Sequence, residues 1–443
     1  MSVAFSFNYA GVRLYFGEGS VKKLKDHLKP RSSVLVVTSK SAARVSGALD
    51  DAKAVFQELN IEYFNYDGVT PNPTTAESQE IAKLAWEKGV DALVAIGGGS
   101  VIDAAKVASV VRKNGGTAND YIYYKRSGGS GIPLLAVNLT HGTGTEVDRY
   151  AVLTDAEKGQ KRGVAILYPE ASADDPHYLL SLPKDQTIYT ALDAFYHSYE
   201  AVTRLGTTPP VELLTKEAIS LIKQWLPSAV SDLKNEGARY WLLYASMLAG
   251  IAIDMEGTHI IHALEHQLSG ANPKVPHGAG LAMLGPRSAY YTHSINPAKS
   301  AEVLKILDPT IRPVAEDATK AEKAIADFQV QVGFEQKLSD YGFTKDQLEA
   351  MVAALAPHGR TAGGPHMPMS HDQLLDIMIK SARCHEMRGR MRTTKNTQAW
   401  AKALRPIRRS LFLFLLLLQS SKAFRVKGAL RTAMEPEIPK KVV

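Results

Sequence analysis

The sequence contains very little cysteine. Cys384 is the single cysteine among 443 residues, so no disulfide can form within the chain and no cluster of thiolates can hold zinc. The first twenty residues also lack the basic start and apolar core of a signal peptide. These absences favour a reducing compartment, and we expect the protein to be cytoplasmic.

Long apolar runs and an overall charge bias are missing as well. The run Leu411–Leu418 has eight residues, whereas a membrane span needs about 20. The net charge of +7 arises from residue 391 onward, where twelve Lys and Arg stand against two Glu. Residues 1–390 carry a net charge of −3. We therefore expect no nucleic-acid partner and no membrane insertion. The alternatives for the tail are a membrane-surface anchor, a poorly ordered extension, or an apolar patch that packs on the body or on another subunit.

The remaining composition, 45% hydrophobic and 22% charged, is typical of a globular protein with two domains. Strand patterns alternate with helix patterns in the first half, and long helical periodicities dominate after Leu182. The predicted strands include 32–39, 61–68 and 132–140, and the predicted helices include 41–60, 74–89, 186–204, 210–232, 237–255 and 257–269. We predict an α/β fold with an N-terminal parallel-sheet domain over 1–182, an all-helical domain over 183–390, and a basic, Leu-rich extension over 391–443.

Two glycine-rich turns each follow an apolar strand. The first is Gly97-Gly98-Gly99-Ser100, and the second runs from Thr140 to Glu146 with the sequence THGTGTE. Glycines let backbone amides approach a pyrophosphate, and a following helix N-terminus favours negative charge. Such turns line a cleft at the carboxyl edge of a parallel sheet. The pair predicts a dinucleotide site, with a purely structural turn as the alternative for the first.

The end of an earlier strand bears on which dinucleotide binds. An acidic residue there would bind the ribose 2′-hydroxyl and repel a 2′-phosphate. The sequence has Ser39 and Lys40 instead, which favours NADP over NAD. The alternative is that Ser39 or Ser41 caps the next helix.

A second set of residues predicts a metal site in the helical half. Asp193 and His197 are four residues apart, as are His262 and His266, and His277 follows after a loop. Residues at i and i+4 share one face of a helix, so two helices can close around a divalent ion. A buried carboxylate among apolar neighbours also requires a cation.

Four segments together resemble the iron-containing (group III) alcohol dehydrogenases. They are GGGSVIDAAK (97–106), HGTGTEVDRYAVLTD (141–155), DAFYHSYEA (193–201) and HALEHQLSG…VPHGAGLAMLGP (262–286). The resemblance covers roughly residues 5–385. It implies a dinucleotide-binding α/β domain and a helical metal-binding domain, a dehydroquinate synthase-like arrangement with the metal in the cleft between them.

The resemblance also implies roles for individual residues. It makes Asp193, His197, His262 and His277 the ligands of Fe²⁺, although this donor set suits Zn²⁺ equally. His266 matches a proton carrier, and we leave His259 structural. Gly98, Gly99, Ser100 and Asp103 match the pyrophosphate turn, whereas Thr140 and Thr143 match the nicotinamide contacts. The implied reaction is hydride transfer between NAD(P) and a primary or short-chain alcohol or aldehyde, and we expect a homodimer or higher homo-oligomer.

Four residues depart from the family pattern. His141, Leu192 and the pair Asp148-Arg149 stand where smaller residues are common, and we expect them to alter the lining of the cleft. The alternatives are a glycerol or polyol dehydrogenase, or a lyase of the same fold, which would need more basic residues at its substrate site. A protein that binds metal and dinucleotide without turnover is the alternative from another class.

Overall fold

The structure is a computed structural model that describes residues 3–382. The predicted extension from residue 391 and Cys384 lie outside the described residues. No helix between residues 3 and 382 combines the length and the apolarity needed to cross a bilayer.

The strands of the described residues form one large sheet and two small hairpins. The strands are β1 (Phe5–Tyr9), β2 (Val12–Phe16), β3 (Ser33–Thr38), β4 (Glu62–Tyr66), β5 (Ala92–Gly97), β6 (Leu134–Asn138), β7 (Tyr150–Asp155), β8 (Gln160–Ala165), β9 (Ala171–Asp174), β10 (Thr361–Ala362) and β11 (Met369–Ser370). The large sheet has the order β1-β2-β9-β6-β5-β3-β4. β7 pairs with β8, and β10 pairs with β11.

The large sheet is parallel except at one edge. Every neighbouring pair from β2 to β4 is parallel, and β1 joins β2 in an antiparallel hairpin. The strands β3, β5 and β6 are buried on both faces, which explains their continuous Val, Leu and Ala runs. The predicted parallel sheet is confirmed. The sequence analysis did not predict the β1–β2 hairpin or the β7–β8 hairpin.

The connections place a ligand-binding edge between β3 and β5. The chain leaves β3 toward β4 on one side and later adds β5 on the other side. In register, Thr38 of β3 lies beside Ile96 of β5. Ser39 directly follows β3, and Gly97 is the last residue of the neighbouring strand β5. Both therefore lie where the strand order reverses, which is where open parallel sheets bind ligands.

Helices cover the sheet and then form the rest of the described chain. The helices are α1 (Lys25–Leu28), α2 (Ala42–Val45), α3 (Ala48–Glu58), α4 (Thr75–Glu87), α5 (Gly99–Asn114), α6 (Ala118–Ile122), α7 (Lys184–Thr203), α8 (Pro209–Ser231), α9 (Glu236–Glu256), α10 (Ile260–Ala271), α11 (His277–Ile295), α12 (Pro297–Leu304), α13 (Ala318–Gln331), α14 (Lys345–Leu355) and α15 (His371–Lys380). Short 3₁₀ turns cover Ser20–Leu24, Pro176–Ser181, Ala315–Asp317, Leu338–Tyr341 and Gly364–His366.

The helix α7 runs through the middle of the helical part. It packs against α8, α9 and α11, and every residue from Ala191 to Thr203 is buried. A helix that is apolar on all sides belongs in a core, so the two acids and the histidine that α7 buries, Asp193, Glu200 and His197, are exceptional. The predicted α/β part followed by an all-helical part is confirmed, and the exact boundary at 182/183 stays a prediction.

Candidate active site

Four side chains from three helices meet between α7, α10 and α11. Asp193 and His197 lie one turn apart on α7, His262 lies in the first turn of α10, and His277 begins α11. The Nε2 atom of His197 lies 3.5 Å from Asp193 Oδ1, and the Nε2 atoms of His262 and His277 each lie 3.7 Å from it. These separations are too long for good hydrogen bonds. The structure thus brings together the four residues that we predicted as metal ligands.

The cluster has the dimensions of a metal site. Asp193 Oδ1 and His262 Nε2 are buried without a hydrogen-bond partner among residues 3–382. Two ligand atoms that each lie about 2.1 Å from one ion at tetrahedral angles are about 3.4 Å apart, close to the separations of the three Nε2 atoms from Asp193 Oδ1. The ligand atoms of Asp193, His262 and His277 all lie within 4.8 Å of one another. With His197 beside the same carboxylate oxygen, this donor set suits a divalent iron or zinc ion.

The electrostatics of the cluster also favour a positive charge. Burial alone would raise the pKa of Asp193, yet the surrounding imidazoles hold it well below its usual range. Burial would lower the pKa of His262, but Glu200 and Asp193 outweigh burial and raise this pKa to about 9. A metal ion bound to His262 would be stabilised by the same two carboxylates.

Two buried glutamates lie behind the cluster, and the sequence analysis missed both. Glu200 binds Nδ1 of His262, and Glu265 binds Nδ1 of His277. Glu200 also accepts a 2.7 Å hydrogen bond from the Ile261 amide. A carboxylate on the far nitrogen of an imidazole fixes the tautomer and the orientation of the ring. For each glutamate the sequence offered one signal: an acidic residue in an apolar helical stretch, three residues after a predicted metal ligand.

A lysine from the sheet-containing part reaches the same site. Lys161 lies on β8 and is buried. Its Nζ donates to Asn72 Oδ1 at 2.9 Å and to Ser269 Oγ at 3.0 Å, and it lies 3.4 Å from Glu265 Oε2. Asn72 in turn donates to two carbonyls of the loop that leads into α11. These bonds join the α/β part to the helices that carry the cluster. No sequence motif predicted a role for Lys161 or Asn72 at this site.

Backbone packing sets the position of α11. Gly278 directly follows His277 and faces the carbonyl oxygen of Tyr189 on α7, and a Cβ atom at Gly278 would lie 2.0 Å from that oxygen. Only glycine permits such an approach. Tyr189 lies one helical turn before Asp193, so the contact fixes the separation between two of the predicted ligands.

The other two histidines of the motif occupy different environments. His259 caps α10: its Nδ1 accepts a 2.8 Å hydrogen bond from the Ile260 amide, and its Nε2 lies 3.0 Å from Thr203 Oγ1. His266 is half-buried, and its ring centroid lies 5.7 Å from that of His277. Burial, reinforced by Lys161, holds the pKa of His266 well below its usual range.

The two predicted glycine-rich turns touch each other. Gly97 ends β5 and Gly99 begins α5. A Cβ atom at Gly98 would lie 2.6 Å from Thr140 Cγ2, and one at Gly99 would lie 2.4 Å from Thr143 Cγ2. The absence of side chains at Gly98 and Gly99 therefore lets the second turn pack on the first and exposes the N-terminus of α5.

One cavity of about 480 Å³ connects the turns with the histidine cluster. Its walls include residues of both predicted sets, namely Gly99, Ser100, Asp103, Thr143, His197, His262, His266 and His277. Asp103 uses both carboxylate oxygens inside the protein, accepting hydrogen bonds from Thr145 Oγ1 at 2.7 Å and from the Val152 amide at 2.9 Å. It thereby shapes the wall beside the turn.

Ser39 lines a separate cavity of about 210 Å³ at the ends of β3 and β4. Lys40, Arg44 and Lys53 share this cavity with Asp67. Three bases and one acid surround Ser39, which is an environment suited to an anion. The structure thus separates Ser39 from the other predicted dinucleotide residues and surrounds it with positive charge.

The expectation that His141 alters the cleft lining is wrong. His141 is fully buried, its Nε2 lies 3.1 Å from Nη1 of Arg239, and its Nδ1 lies 3.1 Å from Thr190 Oγ1. Because a guanidinium only donates, Nε2 is the acceptor and Nδ1 carries the proton. Leu192 is likewise a buried core residue, whereas Asp148 does line the cavity.

Comparison with known proteins agrees with this geometry. The model of the iron-containing alcohol dehydrogenase family matches residues 11–176, and that of the C-terminal part of the Fe-containing alcohol dehydrogenase family matches residues 187–382. The chain belongs to the iron-containing alcohol dehydrogenase family. The predicted family, fold class and alcohol dehydrogenase function are confirmed, and membership implies a metal and a nicotinamide cofactor.

Relatives within the iron-containing alcohol dehydrogenase family cover most of the chain. The long-chain primary alcohol dehydrogenase AdhA of Thermoanaerobacter ethanolicus is 42% identical over 76% of this chain and 87% of its own. The 1,3-propanediol dehydrogenase of Klebsiella pneumoniae is 30% identical over 79% and 92%. Among solved structures, the NADH-dependent butanol dehydrogenase A of Thermotoga maritima is 26% identical with a TM-score of 0.77, covering 85% of this chain and 98% of its own.

Proposed function

We propose that this alcohol dehydrogenase transfers hydride between NADP(H) and a primary alcohol or its aldehyde, using Fe²⁺ held by Asp193, His197, His262 and His277. One observation carries the proposal: three imidazole nitrogens face one unpartnered, buried carboxylate oxygen. They do so in the cavity that the glycine-rich turn also lines. When bound, the ion supplies Lewis-acid polarisation of the substrate oxygen.

The protein's own residues would perform the remaining tasks. Glu200 and Glu265 orient the imidazoles of His262 and His277. The backbone amides after Gly98 and the N-terminus of α5 bind the pyrophosphate. The walls of the cavity would exclude water from the reacting groups, and a bound nicotinamide would supply the hydride chemistry.

His266 would accept the proton of the alcohol and pass it to solvent. Its ring lines the cavity close to His277, and its half-buried position connects the site with the surface. A neutral imidazole at this position has a free nitrogen for the proton.

We propose NADP rather than NAD as the coenzyme. The bases Lys40, Arg44 and Lys53 around Ser39 support this choice, because a 2′-phosphate carries about two negative charges that a 2′-hydroxyl lacks. A cytoplasmic location and a homo-oligomeric state remain our predictions.

The test combines metal analysis with assays of turnover. Protein purified without oxygen and loaded with Fe²⁺ is assayed against short primary alcohols and aldehydes with both coenzymes. We expect one bound metal per chain and a higher kcat/KM with NADP(H) than with NAD(H). The variant His262→Ala should lose bound metal and turnover together.

The control is His177→Ala, because His177 is exposed outside the site and should retain both properties. Full turnover in metal-free His262→Ala would contradict the metal site, and equal kcat/KM for the two coenzymes would contradict the choice of NADP.

A further inference from the structure

One basic side chain in the cavity has no role in the scheme above. Arg204 directly follows the last residue of α7 and lines the cavity together with Gly257, Thr258 and His259. Its Nε is buried without a hydrogen-bond partner, and Arg204 forms no ion pair among residues 3–382. The guanidinium group is a cation, so this cavity contains a positive charge that no residue between 3 and 382 pairs with.

The surrounding residues make room for the guanidinium but do not pair with it. Gly257 has φ of +74°, and a Cβ atom there would lie 3.0 Å from Nη1 of Arg204. Glu200 of α7 and Asp254 of α9, the two helices that end beside Arg204, have other partners. Glu200 binds Nδ1 of His262 and accepts a 3.2 Å hydrogen bond from the His259 amide, and Asp254 accepts hydrogen bonds from two tyrosine hydroxyls.

We propose that Arg204 binds an anionic group at the end of the substrate remote from the reacting carbon. The substrate class would then be an aldehyde or primary alcohol that also carries a carboxylate or a similar oxyanion. This inference rests on the proposed function, since it concerns the same cavity. A guanidinium recognises such groups through two parallel hydrogen bonds.

The helix sets the distance between the two ends of the site. Arg204 lies seven residues after His197, which corresponds to about 10 Å along the helix axis. The carboxylate and the reacting carbon would therefore be held apart in an extended substrate. The other anion available to this cavity is the coenzyme pyrophosphate, which the turn at Gly99 and Ser100 already serves from the sheet side.

The experiment uses the full chain loaded with Fe²⁺ and NADPH. Its substrates are 4-oxobutanoate, which carries a carboxylate, and the methyl ester of 4-oxobutanoate, which does not. The variants are Arg204→Gln and Arg204→Lys, with Arg360→Gln as the control, because Arg360 is exposed. Arg204 makes no side-chain hydrogen bond among residues 3–382, so we expect Arg204→Gln to fold normally, which thermal unfolding will check.

We expect wild type to have a lower KM for the acid than for the ester. Arg204→Gln should raise the KM for the acid about 10- to 100-fold with kcat within a few-fold, leaving the KM for the ester unchanged. Arg204→Lys should recover part of the loss, and Arg360→Gln should behave as wild type. An equal rise for acid and ester, a rise in the KM for NADPH with both, or no preference in the wild type would each overturn the proposal.

A binding measurement separates this proposal from the proposed function. Succinate is titrated into the protein loaded with Fe²⁺ and NADPH, and its Kd is measured by calorimetry for wild type and Arg204→Gln. We expect succinate to bind wild type at least about 10-fold more tightly than the variant. This result would support the role of Arg204 even if neither aldehyde were turned over, whereas equal or absent binding in the two proteins would overturn it.

Discussion

The histidine cluster and the glycine-rich turn line one cavity but are built by opposite means. The cluster depends on charged side chains buried in helices, and two of its histidines have a carboxylate behind them, Glu200 behind His262 and Glu265 behind His277. The turn depends on missing side chains, because any Cβ atom at Gly98 or Gly99 would overlap a threonine. We therefore expect metal binding at the cluster to be weakened by the loss of a charge, and coenzyme binding at the turn to be weakened by the addition of a side chain.

Removing one charge behind the cluster is expected to have the largest effect within this comparison. Glu200→Gln keeps a group of similar shape next to His262 but removes the negative charge. We expect Fe²⁺ affinity to fall about 10- to 100-fold, while NADPH affinity stays at the wild-type value. Metal titration and fluorescence titration of NADPH measure the two affinities.

Glu217→Gln is the matched control for this variant, since Glu217 is exposed on α8. If Glu200→Gln retained wild-type Fe²⁺ affinity, the role that we assign to the carboxylate behind His262 would be wrong.

Adding one methyl group to the turn is expected to have the converse effect. In Gly99→Ala the new Cβ would lie 2.4 Å from Thr143 Cγ2, and relieving such a clash costs about 1–3 kcal/mol. We expect NADPH affinity to fall about 10-fold with metal content unchanged. Adding Thr143→Ala to this variant should restore part of the affinity, because it removes the methyl group that clashes.

Gly237→Ala serves as the control for the glycine variant, because a Cβ atom there meets its nearest neighbour at 3.5 Å. Loss of metal from Gly99→Ala would show that the two sites cannot be perturbed separately.

The third contrast concerns a buried histidine outside the cluster. Carboxylates raise the pKa of His262, whereas burial, reinforced by Arg239, lowers the pKa of His141 to about 3. Between pH 6.5 and 3 the unfolded chain therefore binds one more proton at His141 than the folded chain does. The stability that depends on a neutral His141 is present above pH 6.5 and is lost as pH falls, by about 1.4 kcal/mol per pH unit.

The variant His141→Gln should lack this contribution. We expect the difference in the free energy of unfolding between wild type and His141→Gln to shift against wild type between pH 6.5 and pH 5, as measured by urea titration. Parallel pH profiles for the two proteins would rule out a neutral, buried His141 as the source.

The sequence was most informative where a residue type carries the chemistry. The four-residue spacings of Asp193 with His197 and of His262 with His266 predicted a metal site, and buried apolar runs predicted β3, β5 and β6. The sequence could not reveal groups that long-range packing brings in. Lys161 comes from a hairpin with no recognisable pattern, and Arg204 is distinguished only by its lack of a side-chain partner within the described part of the chain.

His141 shows the opposite error, since a residue that departed from the family pattern was expected in the cleft. Sequence neighbours of a binding turn need not face the ligand, because a turn also presents side chains toward the protein interior. In the folded chain His141 faces Arg239 and Thr190 instead.

The contact between Gly278 and the carbonyl of Tyr189 has a consequence for redesign of the cavity. The spacing between α7 and α11 is limited where main chain meets main chain. We therefore expect substitutions of cavity-lining side chains that bond neither helix, such as Arg204, to leave that spacing in place, provided that position 278 remains a glycine.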